Sequence, residues 1–386
     1  MTNQEKNVPE LRFPEFDGEW EEKKLGDIGS VAMNKRIYKN ETTNHGEIPF
    51  YKIGTFGKKA ETFISREKFE EYKEKYPYPN KGDILISASG SIGRTVEYDG
   101  EEAYYQDSNI VWLQHNNEVL NVFLKYFYLI VKWNGIEGTT IKRLYNKNIL
   151  NTKIELPVKE EQQKIGEFFS KLDRQIELEE QKLEKLEEQK KGYMQKIFSQ
   201  ELRFKDENGN EYPEWEEKTI KDVYKVTRGY VLARKLMSDN PNSINKYPVY
   251  SSQTSNNGLM GYYSDYLYQD AITWTTDGAN AGSVSFRQGK FYCTNVCGVL
   301  LNELGNSNVC MAEMLNNIAF KYVSKVGNPK LMNNVMAMIK LKFPCLEEQQ
   351  AISKFLNVFS EVIDNQNKKV ELLKERKKGF LQKMFV

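Results

Sequence analysis

Two short stretches combine glycines with polar residues in a way that could bring backbone close to a polyanion. They are Gly90-Ser91-Ile92-Gly93-Arg94 and Gly278-Ala279-Asn280-Ala281-Gly282, and each follows an apolar run that reads as a strand. Glycines so placed first of all permit a tight turn. They would also let a loop lie against DNA, with Arg94 as a phosphate or base ligand and Ser89, Ser91 and Asn280 beside it. Basic and amide residues gather again at Arg36, Lys52, Lys58 and Lys59, and then at Arg228, Arg234, Lys235, Gln253 and Asn256, with Tyr230 among them. Arginine reads guanine and Asn or Gln reads adenine through paired hydrogen bonds, so these types suit base-edge readout. Lys142, Arg143 and Lys330 are weaker phosphate candidates. Singly, each such residue also suits a solvated surface; it is their clustering at two equivalent places that points to nucleic acid.

Catalytic and metal-binding patterns are missing. Asp206-x-Asn208-x-Asn210 with Glu217 imitates a calcium loop, but Glu211 stands where glycine is required and Pro213 intrudes, so a turn before Trp215 is expected. The stretch from Gly54 to Lys59 is too short for a P-loop, and the only histidines, His45 and His115, form no metal pair or triad. There is no Asn-Pro-Pro-aromatic motif, no FxGxG loop, no Walker A sequence and no nuclease carboxylate–Lys cluster. No catalytic residue, bound cofactor or metal is therefore expected. Net charge is only +1, so any nucleic-acid surface must be local. The sequence shows no signal peptide and no membrane span. Cys293 and Cys297 read as members of one strand, about 13 Å apart and unable to bridge, as in a reduced cytoplasmic protein.

The elements that would position these loops occur twice. EEQQKIGEFFSKLDRQIELEEQKLEKLEEQKKGYMQKIFS begins at Glu160 and returns at Glu347 as EEQQAISKFLNVFSEVIDNQNKKVELLKERKKGFLQKMF. Both copies follow an apolar-Pro pair, Leu156-Pro157 or Phe343-Pro344, which ends a strand and starts a helix. Apolar positions recur in alternating steps of three and four. Ile165, Phe168, Leu172, Ile176, Leu183, Leu186, Tyr193 and Ile197 match Ile352, Phe355, Phe359, Ile363, Val370, Leu373, Phe380 and Met384. That is a coiled-coil seam. Glu160–Lys164, Glu167–Lys171 and Glu187–Lys191 are expected as supporting pairs. A helix of this length spans about 60 Å, too long for an ordinary domain, and the other copy is its natural partner.

The repeat extends further. Leu11…Trp20-Glu21-Glu22-Lys23 matches Leu202…Trp215-Glu216-Glu217-Lys218, and Ile154-Glu155-Leu156-Pro157 matches Leu341-Lys342-Phe343-Pro344. Gly82 to Ser87 aligns with Gln269 to Trp274, and Ser108 to Val111 with Thr294 to Cys297. Length differences concentrate in 29–82 against 224–269, the loops where recognition would vary. Strands are expected at 48–53, 83–88, 109–113, 249–252, 271–275 and 296–301, and helices at 119–132 and 309–325.

The doubled globule–helix plan, the LP/FP-x-x-EEQQ helix starts and the GDILIS…G-S-x-G stretch resemble the specificity (S) subunit of type I restriction-modification systems over essentially the whole chain. The resemblance implies an α+β chain with an internal pseudo-two-fold repeat. Two α/β target recognition domains, 1–155 and 201–344, would be separated by spacer helices, 156–200 and 345–386, that pair as an antiparallel coiled coil. It implies a non-enzymatic, cytoplasmic subunit that reads a bipartite site in double-stranded DNA, one domain per half-site. Two methyltransferase (M) subunits and restriction/translocase (R) subunits would dock on it and carry the S-adenosylmethionine, ATP and Mg chemistry; no membrane is involved. TTDGANAG in place of SASGSIG departs from the pattern in the second copy. A coiled-coil adaptor with two protein- or glycan-binding globules is the alternative, and near-zero net charge is its support.

If the paired helices set the distance between half-sites, lengthening them should lengthen the site. One heptad inserted after Gln181 and another after Lys368 keeps the seam in register. Seven residues add about 10 Å at a rise of about 1.5 Å each. The untouched spacer should then grow by roughly three base pairs, at about 3.4 Å per pair, with both half-sites unchanged. Methylation mapping in cells expressing the variant with its methyltransferase reads the result. An unchanged spacer with intact activity would remove the ruler.

Overall fold

Leu156-Pro157 and Phe343-Pro344 mark the places where a short strand gives way to a long helix, because proline has no N–H for the ladder and biases its neighbour away from helix. The computed structural model describes residues 7–138, 142–252 and 255–386. The central helix is Lys159–Phe198 and the C-terminal helix Leu346–Lys383. Packing divides the chain into two compact units: Met1–Glu180 with Lys368–Val386, and Gln181–Asn367. Each unit thus holds one globule and a part of both long helices. Among the described residues no helix is long and apolar enough to cross a membrane.

In the first unit Glu21–Lys24 pairs antiparallel with Lys153–Leu156, the strand that feeds the central helix. A four-stranded antiparallel sheet follows in the order Gly29–Ala32, Ile110–His115, Ile84–Ser87, Thr95–Glu97. A smaller sheet joins Phe63–Ile64, Ile48–Tyr51 and Tyr104–Tyr105. One face of the larger sheet, through Ile84, Ile86, Val111 and Leu113, packs on the helix Asn121–Ile130 and on Ile165 and Phe169 of the central helix. Leu381, Met384 and Phe385 complete that core from the other end of the chain.

The second unit repeats the plan with one continuous sheet. Glu216–Thr219 pairs with Lys340–Phe343. Six strands then run in the order Lys225–Arg228, Cys297–Leu301, Tyr268–Thr275, Val284–Cys293, Tyr247–Tyr250, Leu259–Tyr263. The ten-residue strand Val284–Cys293 spans what the first unit divides between Thr95–Glu97 and Tyr104–Tyr105. Ile272, Trp274 and Leu300 pack on the helix Val309–Ala319 and on Ile352 and Leu356 of the C-terminal helix.

The expected antiparallel pairing is present inside each unit. In the first, Phe168 meets Phe380 edge-on at 5.2 Å between ring centroids, and Asp173 and Glu180 bind Lys377 and Lys374 at 2.5 and 3.0 Å. In the second, Tyr193 lies 5.4 Å from Phe355, and Lys190 Nζ donates to Ser360 Oγ at 2.9 Å. Burial departs from a simple seam: Phe169, Leu356 and Leu381 are buried although outside the expected positions, whereas Tyr193 remains 41% exposed. Near their ends the helices face a globule as well as each other.

Several local expectations are corrected. Among the described residues none of the pairs Glu160–Lys164, Glu167–Lys171 and Glu187–Lys191 forms; Lys164 reaches Glu15, and Glu167 accepts from Gln163 at 2.8 Å. Cys293 and Cys297 belong to two strands joined by a turn, in which Cys297 N donates to Thr294 O at 3.0 Å. Both thiols are free. The repeat alignment slips by one residue: Gly93 N donates to Ser87 O as Gly282 N does to Thr275 O, so Ser87 matches Thr275 rather than Trp274. Likewise Ala88 N donates to Asn109 O and Thr276 N to Val296 O, so Asn109 matches Val296. In a strand such a slip exchanges the two faces. Trp274 therefore occupies the helix-facing place of Ile86.

The EEQQ motif at the start of each helix locks the frame. Glu161, Gln162, Glu348 and Gln349 are all at most 1% exposed. Glu161 accepts from Arg12 Nε and Nη2 at 2.7 and 2.6 Å. Glu348 accepts from Arg203 Nε and Nη2, both at 2.9 Å, and from Trp215 Nε1 at 2.8 Å. Gln162 Nε2 donates to Pro157 O and Glu118 O, and Gln349 Nε2 donates to Pro344 O and Asn306 Oδ1. The residue before each arginine caps a helix end: Leu11 N donates to Lys383 O at 2.8 Å and Leu202 N to Lys196 O at 3.0 Å. Removing the carboxylate leaves an arginine that is partly exposed and keeps its backbone carbonyl partners, so the cost is that of the lost charge-assisted hydrogen bonds, about 1.5–3 kcal/mol. Glu348→Ala should destabilise the second unit by that amount. Glu161→Ala should do the same to the first unit, somewhat less severely, because Trp20 Nε1 makes no hydrogen bond there. Urea unfolding together with hydrogen exchange in the first helical turn measures both; native-like protection in either variant would refute the role.

Candidate nucleic-acid interface

The two glycine loops are tight turns pinned to a neighbouring segment. Gly93 and Gly282 have φ of +81° and +89°, and a Cβ on either would strike Trp133 or Val323 at 2.7 or 2.8 Å. In the first unit Gly90 N donates to Lys142 O at 3.1 Å and Leu144 N to Ala88 O at 2.8 Å. In the second, Gly278 N donates to Pro329 O at 3.0 Å and Leu331 N to Thr276 O at 2.9 Å. Ser89 therefore pairs with Arg143, and Asp277 with Lys330, at equivalent places. Ser89, Lys142 and Arg143 are brought together, whereas Lys330 meets Asp277, at the start of the turn that carries Asn280.

Their side chains differ in freedom. Ser89 is buried and donates to Asn109 Oδ1 at 2.7 Å, whereas Ser91 is exposed. Lys142 and Arg143 are exposed and have no side-chain partner among the described residues, while Lys330 sits 3.5 Å from Asp277. Arg94 turns inward: Nη2 donates to Ile53 O at 3.0 Å, and the guanidinium lies 5.2 Å from the ring of buried Phe56. It clips the 53–56 loop to the sheet.

On the variable loops, Arg36 Nε donates to Asp107 Oδ2 at 2.9 Å and Lys52 lies 5.9 Å from the Phe50 ring. Lys58 and Lys59 are exposed and unpaired among the described residues. Beneath them Tyr51 stacks on Tyr105 at 5.6 Å, and burial holds both phenols above the ordinary tyrosine pKa. In the second unit Arg228 closes the strand Lys225–Arg228, exposed and, among the described residues, unpaired, as is Lys235 in the turn Arg234–Leu236. Arg234 binds Asp239. Tyr230 is 62% exposed. Asn256 is exposed, with φ of +52°. Gln253 lies outside the described residues. Lys58, Lys59, Lys142, Arg143, Arg228 and Lys235 thus stand as free cations, among the described residues, on turns or strand ends carried by the two sheets.

Among the described residues no group of three or more His, Cys, Asp or Glu could hold a metal ion. Asp206 accepts from Asn208 N and Asn210 N at 2.9 and 2.7 Å, which makes its segment a turn. Residues that sequence reasoning passes over are Arg12, Arg203 and the buried halves of the EEQQ motifs. Their signal is the coincidence of LRF and EEQQ in both copies.

A profile of the type I restriction modification DNA specificity domain matches residues 17–188 and again 212–375. The chain belongs to that family. A putative type I restriction enzyme specificity subunit of Haemophilus influenzae is 58% identical over 150 residues, 39% of this chain and 39% of that protein. The match thus spans about two-fifths of that relative's length. A putative type I specificity subunit of Mycoplasma pneumoniae is 33% identical over 235 residues, 58% of this chain and 81% of the relative. The crystal structure of a type I restriction-modification S subunit from M. genitalium superposes with a TM-score of 0.64 at 17% identity, covering 98% of this chain and 99% of that one. The specificity-domain match thus falls on both globules, and the fold likeness extends over nearly the whole chain.

Arg94 should act through its clip. Arg94→Met bares the Ile53 carbonyl and loosens the 53–56 loop, which should lower the stability of the first unit by about 1–3 kcal/mol. The salt dependence of DNA binding should not change. Denaturant unfolding and a salt titration separate these effects; a shallower salt slope with unchanged stability would return Arg94 to the DNA surface.

Proposed function

We propose that this chain is the DNA-specificity subunit of a type I restriction-modification complex, each unit reading one half of a bipartite site in double-stranded DNA. The observation that carries this reading is a doubled frame whose two copies differ in their loops. The 29–82 and 224–269 segments differ in length and fold, and exposed Lys58, Lys59, Arg228 and Lys235 stand on them. Free lysines and arginines supply phosphate contacts that set register, and the neighbouring amides and arginines supply base-edge contacts. A rigid sheet with exchangeable loops suits a reader that keeps its frame while its target varies.

Chemistry belongs to partners in this reading. Two methyltransferase subunits dock on the long helices, restriction/translocase subunits join them, and S-adenosylmethionine, ATP and Mg are bound by those partners in the cytoplasm. Family membership and the absence of a recognisable catalytic constellation in the sequence support that division of labour.

Loop exchange tests it. Replacing 224–269 with the corresponding loop set of another family member should change the bases of one half-site and leave the other intact. Methylation mapping reads both halves, and a change in both would show that the units do not read separately. Converting Lys58 and Lys59 to Gln should make the slope of log Kobs against log salt shallower by about 1 for each phosphate these lysines neutralise. An unchanged slope would remove them from the interface.

A further inference from the structure

The two units cover one face of their sheets differently. In the first, Leu85 stands opposite Val96, and with Tyr98, Ile110 and Trp112 these side chains form an apolar cluster filled by Phe56. In the second, the matching pair is Thr273 opposite Ser285, and Arg287 takes the place of Tyr98. Instead of an aromatic plug there is a cavity of about 90 Å³, lined by Ser251, Thr273, Thr275, Ser283, Ser285 and Arg287 among others. That is well above the ~10–15 Å³ that admits one water.

Arg287 is the unusual member. It is only 8% exposed, its guanidinium rests 3.9 Å from the centroid of the Tyr250 ring, and Nε donates to Thr273 Oγ1 at 3.1 Å. Among the described residues no carboxylate pairs with it, and none lines the cavity. A guanidinium stays protonated in proteins, and a buried charge without a counter-charge is costly. Desolvation does press on this group, lowering its pKa from the ordinary arginine value. Hydroxyls on and beside facing strands line the pocket around a cation that lacks an anion; Thr273 Oγ1 already donates to Ser285 O at 3.4 Å, which leaves the Ser283 and Ser285 hydroxyls free to donate. Nearby, Asn256, Asn257 and Gly258 have φ of +52°, +51° and +78°, a run of left-handed backbone at the cavity's edge.

We propose that this pocket is an oxyanion site whose ligand is a phosphate group, with Arg287 supplying the charge and Ser283 and Ser285 supplying hydroxyl donors. The forked donors of arginine suit such a ligand, and the aromatic ring beneath holds the fork in place. The phosphate comes either from the DNA backbone, which rests on the proposed function above, or from a free phosphate.

Titration calorimetry of the full chain with inorganic phosphate, against chloride at equal ionic strength, tests the pocket. Wild type should bind, and Arg287→Met should abolish binding. Ser283→Asp places a carboxylate at an exposed lining position and should weaken phosphate at least tenfold; it carries the test alone if Arg287→Met does not fold. In the DNA arm, either variant should make the salt slope shallower by about 1 if the ligand is a backbone phosphate. Phosphate binding that is lost in the variants while the DNA slope holds assigns the site to a free phosphate. Absence of phosphate binding by wild type, with an unchanged slope in the variants, overturns the site. A changed base preference at one position with an unchanged slope overturns it in favour of base reading. Failure of wild type to bind DNA at all would refute the specificity-subunit reading, yet the calorimetric arm would still decide the pocket.

Discussion

A carboxylate without solvent access sits in the first turn of each long helix, and it has to meet a guanidinium. The cost of burying Glu161 or Glu348 alone would exceed what any nearby apolar contact returns. Arg12 and Arg203 answer that demand with two hydrogen bonds each. Because each arginine belongs to an LRF segment, the pair also fixes where that segment runs, and the segment's backbone caps the last turn of the other long helix in the same unit. Helix start, helix end and the first strand of the globule are thereby held together by one ion pair and its neighbours. The glutamine beside each carboxylate ties the same turn to the preceding proline carbonyl.

On that frame the two units diverge where the frame does not constrain them. The helix-facing side of each sheet is apolar at its centre in both, through Ile84, Ile86, Val111 and Leu113 in the first and Ile272, Trp274 and Leu300 in the second. The other side is free to change character: plugged by Phe56 in the first unit, polar and hollow around Arg287 in the second. The glycine turns keep their place because their backbones are tied to 142–144 and 329–331 and their glycines abut Trp133 and Val323. These turns answer to packing before they answer to any ligand.

The large features were legible in the sequence because they rest on periodicity and repetition. Steps of three and four residues predicted the helices, and Pro157 and Pro344 marked their starts. Strands were located to within a few residues where β-branched runs were bounded by turns, as at Ile84–Ser87 and Cys297–Leu301. What failed depended on partners distant in the chain. Arg66–Lys75 is a helix made mostly of charged residues, anchored by Phe69 and capped by Ser65, whose hydroxyl accepts from Lys68 N. Its pattern alone did not declare it. The one-residue slip between Ser87 and Thr275 arose because identity was matched in place of facing. Of the candidate site, residue types and loops were visible, but which cations are tied internally was not: the bonds of Arg94 to Ile53 and of Arg36 to Asp107 join positions far apart in sequence.

Phe385 packs 5.1 Å from Phe123 and 6.4 Å from Trp20, so the core of the first unit closes only with residues from the far end of the chain. The second unit is contiguous, Gln181–Asn367. On a ribosome, where chains grow at about 5–20 residues per second and domains fold as units, the usual order is N-terminal first. Here the second unit has all of its residues before the first does. The globule made first lacks the cover that Phe385 gives Trp20 and Phe123 while the globule made second acquires all of its residues. The core of the older half is complete once Leu381, Met384 and Phe385 have been made.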